Sequence, residues 1–224
     1  MPADKYGSDV IVDMLKQYGI EYASLNPGAS YRGLHDSIVN YGDNTPQIIQ
    51  CTHEKIAVGV AHGYARVTGK PMVAIVHNLV GLLHGTMGVY YAYVDEAPVI
   101  VLGATGPVDA TRRRPFIDWI HTAQDQGDMV RDFTKWDDQP MSLQAFADSF
   151  VRGWKFATTP PMEPIVIVAD ADLQTMEVED RASLSIPRYT PSEPPQGERG
   201  ALRETARLLV EAESPVIIAD RLAR

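Results

Sequence analysis

The sequence predicts an α/β protein, a three-layer sandwich in which helices cover both faces of a mostly parallel sheet of about six strands. First, short apolar runs alternate with helical patterns through most of the 224 residues. Second, runs such as 72–76 and 99–102 are continuously apolar, which is typical of parallel strands buried on both faces. Third, a hydrophobic content of 45% with 22% charged residues is ordinary for a chain with a packed core.

Local signals place the individual elements. Apolar residues at helical spacing predict helices that glycines end, as at Gly19 and Gly69. An Asn-Pro-Gly break at 26–28 follows the first strand, and Ser30 is a candidate N-cap for the next helix. We predict helices at 10–18, 30–41, 54–68, 82–95, 143–157 and 202–212, and strands at 21–25, 48–51, 72–77, 99–103, 130–136, 164–169 and 216–219.

A change of composition near residue 180 predicts a domain boundary. The first domain is predicted to span 1–180, and a proline-rich stretch makes 181–200 an interdomain linker. One helix and one strand within 201–224 cannot bury a core of their own, so this tail is predicted to open a truncated central domain. In a parallel sheet, ligands bind beyond the carboxyl ends of the strands. The loops expected to carry a site are therefore 26–30, 51–54, 77–81 and 103–107.

Charge and cysteine content exclude several classes of protein. A net charge of −9 and a pI near 5.1 argue against nucleic acid or an anionic membrane as the main partner. No apolar run reaches the roughly 20 residues that span a bilayer, and the single cysteine, Cys51, cannot form an internal disulfide. These features predict a cytoplasmic protein. The basic run 112–114 is interpreted as a solvated loop, with a site for an anionic substrate or for a partner's carboxylates as the alternative.

The strongest chemical candidate is Glu54, at a predicted strand-to-helix junction. The unpaired N–H groups of a first helical turn favour a carboxylate, so this residue is either a simple cap or a functional acid. A zinc-protease helix would need a second histidine at position 57, which is Ala57. The glycines at 81, 85 and 88 lack the dinucleotide-binding spacing, and no carboxylate cage for Mg²⁺ is evident.

A longer stretch, from residue 53 to residue 71, points to one particular protein family. His53-Glu54 and the segment 63–71, Gly-Tyr-Ala-Arg-Val-Thr-Gly-Lys-Pro, resemble the pyrimidine-binding domain of thiamine-diphosphate-dependent enzymes such as acetolactate synthase and benzoylformate decarboxylase. The segments 26–28, 98–101, 164–167 and 214–218 resemble further landmarks in the same order. The resemblance implies a flavodoxin-like sheet and thiamine diphosphate as cofactor. It also places Mg²⁺ on a diphosphate-binding domain, whose Gly-Asp-Gly segment this sequence lacks.

The resemblance also implies roles for individual residues. The matching glutamate, Glu54, hydrogen-bonds the pyrimidine N1′ and activates the cofactor, while Pro27, Gly28 and Gly81 fall in segments that line it. His77 matches a histidine that transfers protons in the benzoylformate decarboxylase branch, and a structural histidine at a strand end is the alternative.

Other positions depart from the family pattern. His84 falls where many relatives carry asparagine, and Ser30 comes one residue after the position of the catalytic serine in the decarboxylase branch. His121 and Gln124 lie in a stretch where acetolactate synthases contact a partner subunit's site, although surface histidines explain such residues more often.

The family further implies a 2-oxo acid substrate, decarboxylation or carboligation, and a homodimer or homotetramer. A diphosphate-binding domain in the same longer chain or in a separate subunit would complete the site, and this chain alone is expected to bind the cofactor weakly. The helix 82–94, with Met87, Val89, Tyr90, Tyr91 and Tyr93, is the candidate dimer face, and core packing is the alternative. The competing function is a non-catalytic flavodoxin-like binding or assembly subunit.

Overall fold

A single six-stranded sheet, with every neighbouring pair parallel, organises the protein. The computed structural model describes residues 5–191, 193 and 195–219. The strand order is β2-β1-β3-β4-β6-β5, and the predicted α/β sandwich is confirmed. The strands are β1 (Tyr22–Leu25), β2 (Gln47–Gln50), β3 (Met72–Ile75), β4 (Val99–Thr105), β5 (Trp136–Asp138) and β6 (Ile165–Asp170).

Helices cover both faces of this sheet, as the continuous apolar strands require. The helices are α1 (Gly7–Gln17), α2 (Arg32–Asp36), α3 (Glu54–Thr68), α4 (Asn78–Val94), α5 (Leu143–Thr158), α6 (Ala171–Thr175) and α7 (Arg199–Glu211). One core joins α1 and α5 to the sheet, and a second core joins α3 and α4 to its other face. Adjacent residues of β4 enter opposite cores, Leu102 the first and Val101 the second.

Residues 130–136 do not form the predicted strand. They hold a 3₁₀ turn at Arg131–Phe133, and β5 begins only at Trp136. The guanidinium of Arg131 forms ion pairs with three carboxylates, of Asp125, Asp128 and Asp137, which hold the segment in a curled conformation. The apolar pattern alone could not reveal this cluster of charges.

The helix predicted at 30–41 is broken into a 3₁₀ turn at Ala29–Tyr31, α2 and a π-helical segment at Ser37–Tyr41. Ser30 lies inside the 3₁₀ turn and makes no capping hydrogen bond there, so that prediction is wrong. Its hydroxyl instead contacts His77 and Asn78 at the start of α4, as described below. Helix α4 begins at Asn78, one turn before the predicted start at 82.

The chain divides into two compact units, Met1–Tyr189 and Thr190–Arg224. The first unit extends past residue 180 because Gln17 and Tyr18 donate hydrogen bonds to the carbonyl of Pro187. Within the second unit, Glu198 caps α7, but the described residues 216–219 form no strand, contrary to prediction. None of the helices in the described part of the chain is long and apolar enough to cross a lipid bilayer.

Candidate active site

Glu54 is the first residue of α3 and follows β2 at the carboxyl edge of the sheet. His53 caps the helix, because its Nδ1 accepts a hydrogen bond from the backbone N–H of Lys55 at 3.1 Å. The cap is therefore supplied by the neighbouring histidine. The interpretation of Glu54 as a simple cap loses its basis, and its carboxylate is available for other partners.

The burial of Glu54 depends on close packing between α3 and α4. Three glycines of α4, spaced at 81, 85 and 88, present a face without side chains to α3. A Cβ at Gly88 would lie 2.9 Å from Cβ of Val58, and one at Gly85 would lie 3.8 Å from Cβ of Glu54. As a result, only 4% of Glu54 is exposed.

Each oxygen of the Glu54 carboxylate has a side-chain neighbour. Asn26, directly after β1, donates a hydrogen bond from Nδ2 to Oε1 at 3.0 Å. His84 of α4 places Nδ1 3.4 Å from Oε2, and its ring stacks on that of His53 with centroids 5.0 Å apart. Ligand-type atoms of His53, Glu54 and His84 all lie within 4.8 Å of one another. The carboxylate is thus buried and oriented from two sides.

His77 follows β3 and immediately precedes α4. Its Nδ1 lies 2.7 Å from the hydroxyl of Ser30, and that hydroxyl also accepts the backbone N–H of Asn78 at 3.1 Å. Burial lowers the pKa of His77, and the nearby His121 imidazole lowers it further, whereas the Glu54 carboxylate acts in the opposite direction. His77 is therefore a neutral imidazole at neutral pH.

Three further residues were predicted to line the cofactor: Pro27, Gly28 and Gly81. The two glycines lie against His77, and Gly81 also lies near Glu54. A Cβ at Gly81 would stand 3.3 Å from Oε1 of Glu54 and 3.1 Å from Cβ of His77. A Cβ at Gly28 would collide with the His77 ring at 2.6 Å. Both glycines therefore belong to the cluster around the two candidate catalytic residues. Pro27 is exposed.

A cleft of about 240 Å³ opens beside His77. Its walls include Ser30, Asn78 and His121, together with arginines from the loop after β4 and from α2. Arg112 forms an ion pair with Asp172 at 2.7 Å, and Arg114 pairs with Asp118 at 2.8 Å, while Arg32 is exposed at the rim. Two arginines of the basic run therefore line the cleft, and each is already paired with a carboxylate that lines it as well.

Sequence reasoning missed Asn26 and Asn78 as site residues. From the Asn-Pro-Gly segment 26–28, only the proline and the glycine were predicted as site residues, but it is the asparagine that contacts Glu54. Oδ1 of Asn78 is buried and has no hydrogen-bond partner among the described residues, although the side chain lines the cleft. His121 contacts His77 at 5.7 Å between ring centroids, whereas Gln124 is exposed. Position at a strand's carboxyl end was the available signal for both asparagines.

Comparison with known proteins agrees with this geometry. A family model described as "Thiamine pyrophosphate enzyme, N-terminal TPP binding domain" matches residues 5–130. The chain belongs to the thiamine pyrophosphate enzyme family. The resemblance inferred from residues 53–71 is thereby confirmed, and the chain carries the N-terminal cofactor-binding domain of that family.

Individual relatives within the thiamine pyrophosphate enzyme family cover almost all of the chain. The acetolactate synthase large subunit of Lactococcus lactis is 30% identical over 216 residues, which are 95% of this chain and 36% of that protein. A protein of Pseudomonas aeruginosa described as a probable 2-ketoarginine decarboxylase is 26% identical over 215 residues, 93% of this chain and 36% of that protein. The chain thus spans about a third of the length of these relatives.

Solved structures show the same fold. The thiamine diphosphate-dependent 4-hydroxybenzoylformate decarboxylase of Rhodococcus jostii superposes with a TM-score of 0.77 at 18% sequence identity. The match covers 94% of this chain and 38% of that one. The benzoylformate decarboxylase of Polynucleobacter necessarius gives a TM-score of 0.77 at 17% identity, over 95% of this chain and 38% of that one.

Proposed function

We propose that this chain is the pyrimidine-binding part of a thiamine-diphosphate-dependent lyase or transferase that acts on 2-oxo acids. The observation that carries the proposal is the Glu54 carboxylate, buried at the carboxyl edge of the sheet and held by Asn26. A buried carboxylate is costly unless it is hydrogen-bonded, so its retention here favours a functional role over a capping role.

The residues around Glu54 fit the pyrimidine ring of the cofactor. A carboxylate accepts a hydrogen bond from a protonated ring nitrogen, and a protonated carboxyl donates one to a bare nitrogen. Gly81 supports this fit, because it leaves the approach to Oε1 free of a side chain. When bound, the cofactor supplies an electron sink for the carbanion that decarboxylation produces. The part of Glu54 is to orient the ring and to share a proton with its nitrogen.

His77 is proposed to exchange protons with the substrate. Its imidazole lines the cleft, is held by the Ser30 hydroxyl, and is neutral at neutral pH because its pKa is lowered by burial. A neutral imidazole can accept a proton, and the resulting cation can return it at a later step. A Cβ at Gly81 would lie 3.1 Å from Cβ of His77 and 3.3 Å from Oε1 of Glu54, so the absence of a side chain there keeps the space beside both groups open.

The cleft and the relatives support the proposed substrate class. Arg32 at the cleft suits the carboxylate of a 2-oxo acid, and the volume of the cleft suits a small molecule. The relatives include an acetolactate synthase and a protein described as a 2-ketoarginine decarboxylase, so carboligation and decarboxylation are both consistent with the proposal.

Further protein is proposed to complete the site. The cofactor diphosphate and its Mg²⁺ would be held by a diphosphate-binding domain, in a longer chain or in a separate subunit. Pairing with a second copy is supported by an exposed apolar face on α4 that includes Leu83, Met87, Tyr91 and Val94. On α3, Ile56 is 50% exposed and adds to the apolar surface.

The test uses the full-length protein, with turnover of pyruvate and of benzoylformate measured with and without thiamine diphosphate. We expect cofactor-dependent turnover that Glu54→Gln lowers by at least about 100-fold, within the range of a lost proton-transfer group. The matched control is Glu21→Gln, which changes an exposed glutamate paired with Lys70 and should leave turnover unchanged. Equal activity of Glu54→Gln and wild type would overturn the proposal.

A further inference from the structure

The side-chain amide of Asn78 is buried at the cleft without a hydrogen-bond partner. Asn78 is 5% exposed and lines the cleft beside His77. Its backbone N–H donates to the Ser30 hydroxyl, which fixes the residue in the first turn of α4. Its Oδ1 is buried and has no partner within the described chain. Since a buried polar atom without a partner costs free energy, the amide favours a ligand in the cleft that pairs with it.

A second hydrogen-bond acceptor of the cleft is the ring of His121. Its Nδ1 lies 2.9 Å from the carbonyl oxygen of Ile117, and because a carbonyl oxygen accepts hydrogen bonds, Nδ1 carries the proton. The neutral ring therefore keeps Nε2 as an acceptor. This ring lines the cleft, and its centroid lies 5.7 Å from that of His77. Together with Asn78, it suits a ligand that offers an O–H or N–H group.

The charged side chains of the cleft leave one cation unpaired. Arg112 is paired with Asp172, Arg114 is paired with Asp118, and all four line the cleft. Arg32 also lines it and has no ion-pair partner among the residues that the structure describes. Three guanidinium groups thus face two carboxylates, which suits a ligand with a single negative charge. A second carboxylate or an ammonium group on the ligand would meet no unpaired opposite charge here.

Apolar surface is scarce in this cleft. Among the described residues that line it, Ile117 and Pro107 are the apolar side chains larger than a methyl group. The volume of about 240 Å³ is also small beside the roughly 300–1,000 Å³ of common small-molecule pockets. An aromatic or branched side chain of a substrate would cover polar groups of the walls and leave them unpaired, which is unfavourable. A short side chain that is polar and uncharged fits these walls better.

We propose that Asn78 is a specificity-determining residue that selects 2-oxo acids with a hydroxyl group on the side chain, such as 3-hydroxypyruvate. The inference rests on the proposed function, in which a 2-oxo acid occupies this cleft with its carboxylate at Arg32. A hydroxyl donates to Oδ1 of Asn78 or to Nε2 of His121, and it accepts from Nδ2 of Asn78. A methyl group in the same position offers neither bond. Both residues belong to this chain's wall of the cleft, whatever wall a further domain supplies.

The test compares two substrates that differ in one group. 3-Hydroxypyruvate carries a hydroxyl where 2-oxobutyrate carries a methyl group, and CO2 release from each is followed with the full-length protein loaded with thiamine diphosphate. A site that pairs with a substrate hydroxyl rejects the analogue without it, so we expect kcat/KM to favour 3-hydroxypyruvate by at least about tenfold. Asn78→Leu keeps a similar side-chain volume and should reduce this preference by about 10- to 100-fold. Differences in intrinsic reactivity cancel when wild type and variant are compared.

Three further variants separate hydrogen bonding from packing. Asn78→Asp keeps acceptor oxygens and should retain the preference to within about threefold. His121→Asn keeps a donor for the Ile117 carbonyl but lacks Nε2, so it should reduce the preference by about three- to tenfold. The matched control is Asn40→Leu, which changes an exposed asparagine outside the cleft and should leave the preference unchanged. If circular dichroism shows that Asn78→Leu does not fold, the result for His121→Asn decides the inference.

Binding to the cofactor-free protein provides a readout that does not depend on turnover. Saturation-transfer NMR of the full-length protein should show tighter binding of 3-hydroxypyruvate than of 2-oxobutyrate. Asn78→Leu should remove this difference, because the leucine side chain has no hydrogen-bonding atom. Equal binding of the two compounds to the wild-type protein would contradict the inference.

The outcomes also separate the inference from the proposed function. If thiamine diphosphate supports turnover of neither these compounds nor pyruvate, the proposed function fails and the inference fails with it. If turnover depends on the cofactor but the ratio of the two kcat/KM values is the same in wild type and Asn78→Leu, only the role of Asn78 is wrong. A preference for 2-oxoglutarate over 3-hydroxypyruvate would show that the cleft takes a second carboxylate and would overturn the inference.

Discussion

Two imidazole–carboxylate pairs lie between α3 and α4. In one pair the carboxylate is the buried partner, and in the other the imidazole is. In the Glu54–His84 pair the carboxylate is 6% exposed and the imidazole 61%, whereas in the Asp95–His62 pair the values are 41% and 18%. The second pair is also shorter, 2.9 Å against 3.4 Å, and Arg66 approaches the same aspartate oxygen at 3.7 Å.

The difference shows that an ion-pair distance does not identify a functional site. Asp95 keeps contact with water and has the cationic Arg66 beside it, so its pair is explained by surface electrostatics. Glu54 has lost most of its hydration and is held by an amide and an exposed histidine. A carboxylate that is buried at a strand's carboxyl edge is therefore the better indicator of chemistry.

The largest effect on turnover is expected from changing the length of the side chain that carries each carboxylate. Glu54→Asp withdraws the carboxylate by one methylene, and we expect turnover of the full-length enzyme to fall about 100-fold, as for a displacement near 1 Å. Asp95→Glu makes the reverse change in the other pair and should leave turnover within about twofold, since its carboxylate is solvated. Steady-state kinetics with a 2-oxo acid checks both. Similar losses in both variants would remove the distinction.

The next largest effect is expected on the pH dependence of turnover, through His77. Because burial and His121 lower its pKa, protonation of His77 requires more acid than an ordinary imidazole, so the neutral form prevails above about pH 6.5. We expect kcat/KM of the wild type to fall as pH decreases below that value. His77→Gln should be about ten- to a hundredfold slower and should lack this acid limb. An unchanged acid limb in His77→Gln would assign it to another group.

A smaller effect tests the close helix packing that buries Glu54. Gly88→Ala would place Cβ 2.9 Å from Cβ of Val58, so we expect it to lower the free energy of unfolding by about 1–3 kcal/mol. Gly59→Ala is the matched control on α3, because nothing lies within 4 Å of its added Cβ. That change should raise the free energy of unfolding by up to about 1 kcal/mol. Urea denaturation followed by circular dichroism distinguishes them.

The smallest effect is expected at the Asp95–His62 pair itself. Asp95→Asn should lower the free energy of unfolding by less than about 1 kcal/mol, and the difference should shrink in 1 M salt. Thermal unfolding at low and high salt measures this. If the free energy of unfolding fell by several kcal/mol, the pair would be an important structural contact despite the exposure of Asp95.

The sequence predicted most of the fold because its signals are local. Helix α3 has the predicted bounds of 54–68, since His53 caps it and Gly69 adopts the left-handed conformation at its end. The buried strands were recognised because both faces are apolar. The conformation of segment 130–136 was not recognised, because it depends on ion pairs of Arg131 with three aspartates between 125 and 137.

The site was predictable only in part for a similar reason. Glu54 and His77 could be found from their positions at strand ends and from the family resemblance. The contacts of Glu54 with Asn26 and His84 depend on strand register and on how closely α3 approaches α4. The glycines that permit this approach are visible in the sequence, but their spacing does not reveal which helix they meet.

The strand order also affects how the protein is synthesised. Strand β6 lies between β4 and β5, so neither neighbour completes its hydrogen bonds until Ile165–Asp170 has left the ribosome. Roughly 60 residues separate the end of β4 from β6, which corresponds to several seconds at about 5–20 residues per second. During that interval the nascent chain exposes an unpaired apolar edge, the feature that other chains and chaperones recognise.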